Sequence, residues 1–212
     1  MRIYDHRYDR ERLRFQIAMR FIRLEARTHT IRLWTGLTDD RIRKLYRSYL
    51  LDCDQPPLPR HRGRSPRQVR TFLRTARLRQ ETGLLASLCR VLGALPGRTG
   101  TAGLAGPAAP ARAAGFALTL PSLARGELLC QAYEVYRALV GKPLLTFEHA
   151  VFLLSTLARA EELVCSRCRD CRAVVVVDRW SLRPARCEVC GAAAEAANAG
   201  PPPTSLLPLV QA

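Results

Sequence analysis

Apolar positions recur at helical spacing through most of the chain. Across residues 8–27, Leu13, Ile17, Phe21 and Leu24 form one stripe, and Arg12, Arg14, Arg20, Arg23 and Arg27 lie off it. That pattern predicts an amphipathic helix. A second helical stretch carries Ile31 and Trp34 and should end at Gly36, a residue suited to a left-handed C-cap. Thr38 then supplies a capping hydroxyl, and Asp39 and Asp40 suit the positive end of a helix dipole. Ile42, Leu45, Tyr46 and Tyr49 follow at i, i+3, i+4 and i+7, so a third helix of about a dozen residues is predicted. Its other face carries Arg41, Arg43, Lys44 and Arg47.

Further along, residues 53–64 read as a Pro-rich polar connector. Ser65-Pro66 should open another helix as an N-cap followed by an N1 proline, with Val69, Phe72, Leu73 and Ala76 on its apolar face. Leu84, Leu85, Leu88 and Val91 extend that face past Gly83, while Arg67, Arg70, Arg74, Arg77 and Arg79 cover the outside. Two more helices are expected, one through Leu128, Leu129, Ala132, Tyr133 and Tyr136, the other through Phe147, Val151, Leu154 and Leu157, with Pro143 between them. The regions implied are a basic helical part (1–95) with a helix-turn-helix-like segment, an Ala/Gly/Pro linker (96–118), a helical part (119–164), a cysteine-bearing module (165–192) and a disordered tail (193–212).

The cysteines add chemistry to this helical outline. Cys168-Arg-Asp-Cys171 and Cys187-Glu-Val-Cys190 are separated by fifteen residues, and two Cys-x-x-Cys pairs so spaced are the pattern of a four-thiolate zinc site. The run Val174–Val177 between them is β-branched and reads as a strand of a ribbon hairpin. Four filled thiolate positions leave no site for water or substrate, so such an ion is structural. Cys165 forms a competing Cys-x-x-Cys pair with Cys168. The pair Cys168 and Cys171 is favoured because it leaves the shorter, more ribbon-like gap. A disulfide pair or buried thiols are the alternative, disfavoured in a reducing compartment. Cys89 and Cys130 lie in apolar helical patterns and read as small buried hydrophobes.

Charge narrows the partners. The chain of 212 residues has a formal charge of +16. Residues 1–80 hold 21 Lys or Arg against 8 Asp or Glu, an excess that attracts polyanions, nucleic acid above all. The chain carries no apolar run of eighteen residues and its N-terminus is charged from the start, so a cytoplasmic protein without membrane contact is expected. His6, His29, His61 and His149 are scattered, and no nucleophile elbow or phosphate loop occurs, so no enzyme is expected.

Helix, short Gly-containing turn and capped basic helix together outline a helix-turn-helix, whose second helix enters the major groove. Arg41, Arg43, Lys44 and Arg47 are then the candidate DNA contacts; a plain solvated helix pair on a basic protein accounts for the same residues equally well. Arg32 stands where a small residue usually lets the two helices pack closely.

Several ordered pieces resemble the FlhC family, the zinc-containing subunit of the bacterial flagellar master activator. Leu24-Glu-Ala-Arg and Thr35-Gly-Leu-Thr-Asp-Asp-Arg-Ile-Arg-Lys-Leu-Tyr46 look like its basic helical segment. Arg64-Ser-Pro through Ala86-Ser-Leu is similar to its middle helices, Ala132-Tyr-Glu-Val-Tyr136 to a later helix, and Pro143-Leu-Leu to the approach to its last helix. Its terminal pair of Cys-x-x-Cys motifs matches Cys168, Cys171, Cys187 and Cys190. The resemblance covers roughly residues 8–192 with gaps. It implies a mainly α protein: a helical DNA-binding body with a C-terminal zinc-ribbon-like module and one structural Zn2+. It also implies assembly with an FlhD-type subunit into a hetero-oligomer, binding to promoter DNA of flagellar operons and activation of RNA polymerase. The alternative from the residues themselves is a zinc-ribbon RNA-binding or ribosome-associated protein, which would share the charge and the zinc but read RNA shape.

Overall fold

Hydroxyl caps and glycines set where the helices start and stop. The computed structural model describes residues 6–52, 66–95 and 121–198; the expected connector, the whole of the expected linker and the end of the tail, with Cys53, lie outside them. Among the described residues the chain is mainly helical: α1 (His6–Arg23), α2 (Thr28–Thr35), α3 (Asp39–Asp52), a 3-10 helix (Val69–Leu73), α4 (Ala76–Val91), α5 (Leu123–Val140), α6 (Phe147–Arg159) and α7 (Glu188–Asn198). One antiparallel hairpin, β1 (Leu163–Arg167) with β2 (Val174–Asp178), precedes α7, in the register Cys165↔Val176 and Arg167↔Val174.

The Thr75, Ser122 and Thr146 side chains accept the backbone N–H three residues on and so start α4, α5 and α6. His149 completes a capping box with Thr146, and burial lowers the pKa of its half-buried ring. The helix expected from Ser65-Pro66 is instead interrupted. Residues 69–73 form a 3-10 turn that seats Phe72, and the regular helix begins only after Thr75.

The core joins regions that the sequence outline kept apart. Phe21 on α1, Trp34 on α2 and Phe147 on α6 meet edge-on or tilted, with ring centroids 4.9 Å apart for Phe21–Phe147 and 6.0 Å for Phe21–Trp34. Gly126 on α5 permits this approach, because a Cβ there would sit 3.2 Å from the Trp34 ring. Each fully buried large side chain of this cluster contributes about 1.5–3 kcal/mol of transfer free energy. α4 lies against α5 and carries the hairpin on its other side. Gly83 is the point of closest approach there: a Cβ would meet the Val174 carbonyl oxygen at 3.0 Å.

Two buried carboxylates fasten the layers. Glu81 on α4 accepts from the Tyr136 hydroxyl, from the Leu144 N–H (2.8 Å) and from Arg77 Nε (2.9 Å). Glu148 on α6 accepts from the Arg27 N–H (2.9 Å) and the Thr30 hydroxyl (3.0 Å), at the N-terminus of α2. No helix among the described residues is long and apolar enough to cross a membrane.

Candidate metal centre and basic faces

The hairpin delivers the first cysteine pair. β1 ends at Arg167, and the chain turns through Cys168–Cys171 before β2 begins at Val174. Within the turn the Cys168 N–H donates to the Ala173 carbonyl (2.8 Å) and the Arg172 N–H to the Cys168 carbonyl (3.1 Å). The second pair is built on the start of α7. Cys187 immediately precedes the helix and its sulfur accepts from the Cys190 N–H at 3.5 Å, the role a hydroxyl plays at an ordinary N-cap. A thiolate is also favoured at that positive end. The Arg169 N–H to the Ala185 carbonyl (2.9 Å) and Arg186 Nε to Asp170 Oδ2 (3.3 Å) join the two turns.

These turns bring the Sγ atoms of Cys168, Cys171, Cys187 and Cys190 within 4.8 Å of one another. A tetrahedral ion with bonds of about 2.3 Å sets sulfurs about 3.8 Å apart, so the arrangement fits a single metal. Cys171 and Cys187 already stand at 3.5 Å. The electrostatics point the same way. The N–H groups of Cys171, Cys187 and Asp170 hold the Cys168 thiol down to about 6. The neighbouring Cys187 and Cys171 sulfurs push Cys190 up to about 12. Four sulfurs this close cannot all ionise unaided, whereas a divalent cation removes the penalty.

Cys165 is excluded by the strand. On extended backbone it stands about 10 Å along the chain from Cys168. It pairs across the hairpin with Val176 and packs against the core, and burial raises its thiol. Cys89 and Cys130 are buried, as expected of small hydrophobes.

The helix-turn-helix-like unit is α2–turn–α3. Gly36 takes a left-handed conformation (φ 70°) and donates to the Arg32 carbonyl. Ile31, Trp34, Leu37 and Ile42 are buried. Arg32 is not at the helix contact: its side chain is 54% exposed and 3.8 Å from Asp39. The four candidate contacts on α3 divide into two pairs. Arg41 is drawn back to Glu11 and lies over the Phe15 ring, and Arg43 bonds Asp40 at 3.0 Å. Lys44 and Arg47 are exposed and have no partner among the described residues. Of Arg67, Arg70 and Arg74, which could have adjoined α3, Arg70 lies in the 3-10 helix and the other two flank it; that helix packs on α4 and, through Phe72, on Phe152 of α6.

A scan against protein-family models and a search of curated proteins both find no match to this chain.

Proposed function

We propose that this chain is a DNA-binding transcriptional activator of the FlhC type. In this reading it acts with an FlhD-type subunit at promoters of flagellar operons and engages RNA polymerase there. The observation that carries the reading is the α2–Gly36–α3 unit. It sets a helix with two uncommitted cations, Lys44 and Arg47, on the surface of a rigid aromatic core. The order of motifs shared with that family supports the flagellar assignment. Arg41 and Arg43 are already ion-paired, Arg41 to Glu11 on α1 and Arg43 to Asp40 within α3, and are less free than Lys44 and Arg47 to act as primary contacts.

The ion is zinc in this reading, because four cysteine sulfurs and no oxygen or imidazole donor suit it. Bound there, zinc neutralises the thiolates. Cys168 and Cys171 then hold the hairpin turn, and Cys187 and Cys190 hold the start of α7. The chain performs no catalysis in this account: with four thiolates in place, no coordination position is left for a substrate.

The test is binding of the metal-loaded chain, alone and with its partner subunit, to a flagellar promoter duplex and to a scrambled duplex across a salt series. Promoter preference is expected, with a steep negative dependence of log K on log salt. Lys44→Ala should reduce the slope by about 1 and weaken both duplexes alike, whereas Arg47→Ala should also relax the preference if it reaches a base. Equal binding to both duplexes by the wild-type chain, or tighter binding to structured RNA, would overturn the proposal.

A further inference from the structure

The metal module is more basic than holding an ion requires. Between β1 and the start of α7 it carries six arginines, and only two of these have side-chain partners. Arg186 pairs with Asp170, while Arg179 donates to the Ala160 carbonyl and stacks over the Trp180 ring. Arg167, Arg169, Arg172 and Arg183 are exposed, with no side-chain partner among the described residues. The nearby acids are engaged elsewhere: Asp170 with Arg186, Asp178 with the Trp180 N–H, and Glu188 with Arg79.

Arg172 adds a second, independent observation. Its backbone is left-handed (φ 64°), a conformation that glycine adopts without penalty and a residue with a Cβ does not. The turn by itself would be better served by glycine, so the guanidinium there has a use outside the turn. Its backbone, like that of Arg169, is pinned by hydrogen bonds within the cysteine turns. These side chains therefore project from a framework that a bound metal makes rigid. The same surface continues onto the 3-10 segment. Arg79 bonds both the Leu73 carbonyl (3.0 Å) and Glu188, so exposed Arg74 lies next in sequence to a residue tied to the start of α7.

We infer that the cysteine turns form a second phosphate-contacting surface for duplex DNA, separate from α3, with Arg167, Arg169, Arg172 and Arg183 as its cations. Guanidinium groups match phosphate oxygens in two-point contacts, and such contacts position a duplex without reading its sequence. A duplex is favoured over a single strand because no aromatic side chain stands among Arg167, Arg169 and Arg172, and Trp180, three residues before Arg183, already carries the Arg179 guanidinium over its ring. Trp180, 77% exposed, lies beyond the opposite end of β2. The inference rests on the proposed DNA-binding function and adds a site to it.

The experiment compares the metal-loaded full-length chain with the variant Arg169→Ser/Arg172→Gly/Arg183→Ser on a random-sequence duplex across a salt series. Arg172→Gly relaxes the turn, and metal content of one per chain verifies that the module is intact. The magnitude of the log K against log salt slope should fall by about 0.9 for each arginine–phosphate pairing removed, or about 2.7 for the three. The ratio of promoter to random-duplex affinity should stay unchanged. A control, Arg137→Ser/Arg159→Ser, removes exposed arginines from α5 and α6 and should leave the slope nearly as it was. An unchanged slope in the triple variant overturns the inference. So does an equal decrease per residue in the control, or a decrease confined to structured RNA. Failure of the wild-type chain to bind any duplex, alone and with its partner subunit, is a different result, and it refutes the proposed function itself.

Discussion

Removing the metal should unfold one end of this molecule and leave the rest standing. α7 is an eleven-residue helix, shorter than the 12–15 residues at which isolated helices become even marginal in water. Apart from the cysteines, its fastening to the body is the Arg79–Glu188 pair, with bonds of 2.5 and 3.0 Å. Those side chains are 40% and 22% exposed, so solvent screening limits the pair to about 0–1 kcal/mol. Thiolate sites bind zinc with about 10–16 kcal/mol of apparent free energy, so if zinc fills the four-cysteine cluster, as proposed, that quantity would dominate the order of the cysteine turns and α7. The body does not depend on it: Phe21, Trp34, Phe147 and Tyr136 lie in a cluster built by α1, α2, α5 and α6. The hairpin also keeps its own anchorage, through buried Leu163 and Val176. Hydrogen exchange of the holo chain, the chelated chain and Cys187→Ala measures this directly. Amides of residues 168–173 and 185–198 should lose protection in the last two, while those of α1, α5 and α6 keep it. Loss of protection across the whole chain at once would refute the reasoning, and so would retention of metal and of α7 protection in Cys187→Ala.

Other consequences concern the joints between layers. Glu81→Ala strands the Tyr136 hydroxyl and the Leu144 N–H, and at about 1–3 kcal/mol for each of the two orphaned groups it should cost about 2–6 kcal/mol in denaturant unfolding. Burial alone would raise the Glu81 carboxyl, but bonds from Tyr136, the Leu144 N–H and Arg77 hold it below the ordinary glutamate value. A depressed carboxyl stabilises the fold above its unfolded value and ceases to do so as pH falls through its folded value. Wild type and Glu81→Gln should therefore differ at neutral pH and converge in acid; a constant gap would refute the assignment. Gly83→Val should destabilise the chain by about 1–3 kcal/mol, seen as a lower thermal midpoint, and expose the amides of β2, although valine exceeds glycine in helix propensity. A raised midpoint would show that the hairpin yields freely.

The helical stripes of α1, α2 and α3 and the stop at Gly36 were legible because each rests on local periodicity and one backbone conformation. The cysteine set was legible from spacing, and the strand geometry of β1 shows why Cys165 is left out. β1 itself was harder to see, because a cysteine that could be a ligand drew attention from a half-buried strand. α7 runs past residue 192, where a tail was expected; its alanines favour helix, and Gly191 obscured them. Thr75 carried the same capping signal as Ser65, which stood before a proline and read as the stronger start. Apart from Arg77, four residues before Glu81, the partners of Glu81 and Glu148 lie 55–63 and 118–121 residues away and left no local trace. The commitment of Arg41 to Glu11 is hidden for the same reason.

The glutamate at the head of α2 has a bearing on how the chain is made. Arg27 stands at the N-cap and its side chain makes no capping bond, and Glu148 supplies the carboxylate instead. During synthesis at about 5–20 residues per second, α2 and α3 leave the ribosome roughly 5–20 s before that carboxylate exists. The segment proposed to touch DNA is thus made well before the carboxylate that completes it. A chain arrested before residue 148 would present these basic residues on an unfinished unit, so competence for its target arrives only once α6 has been made.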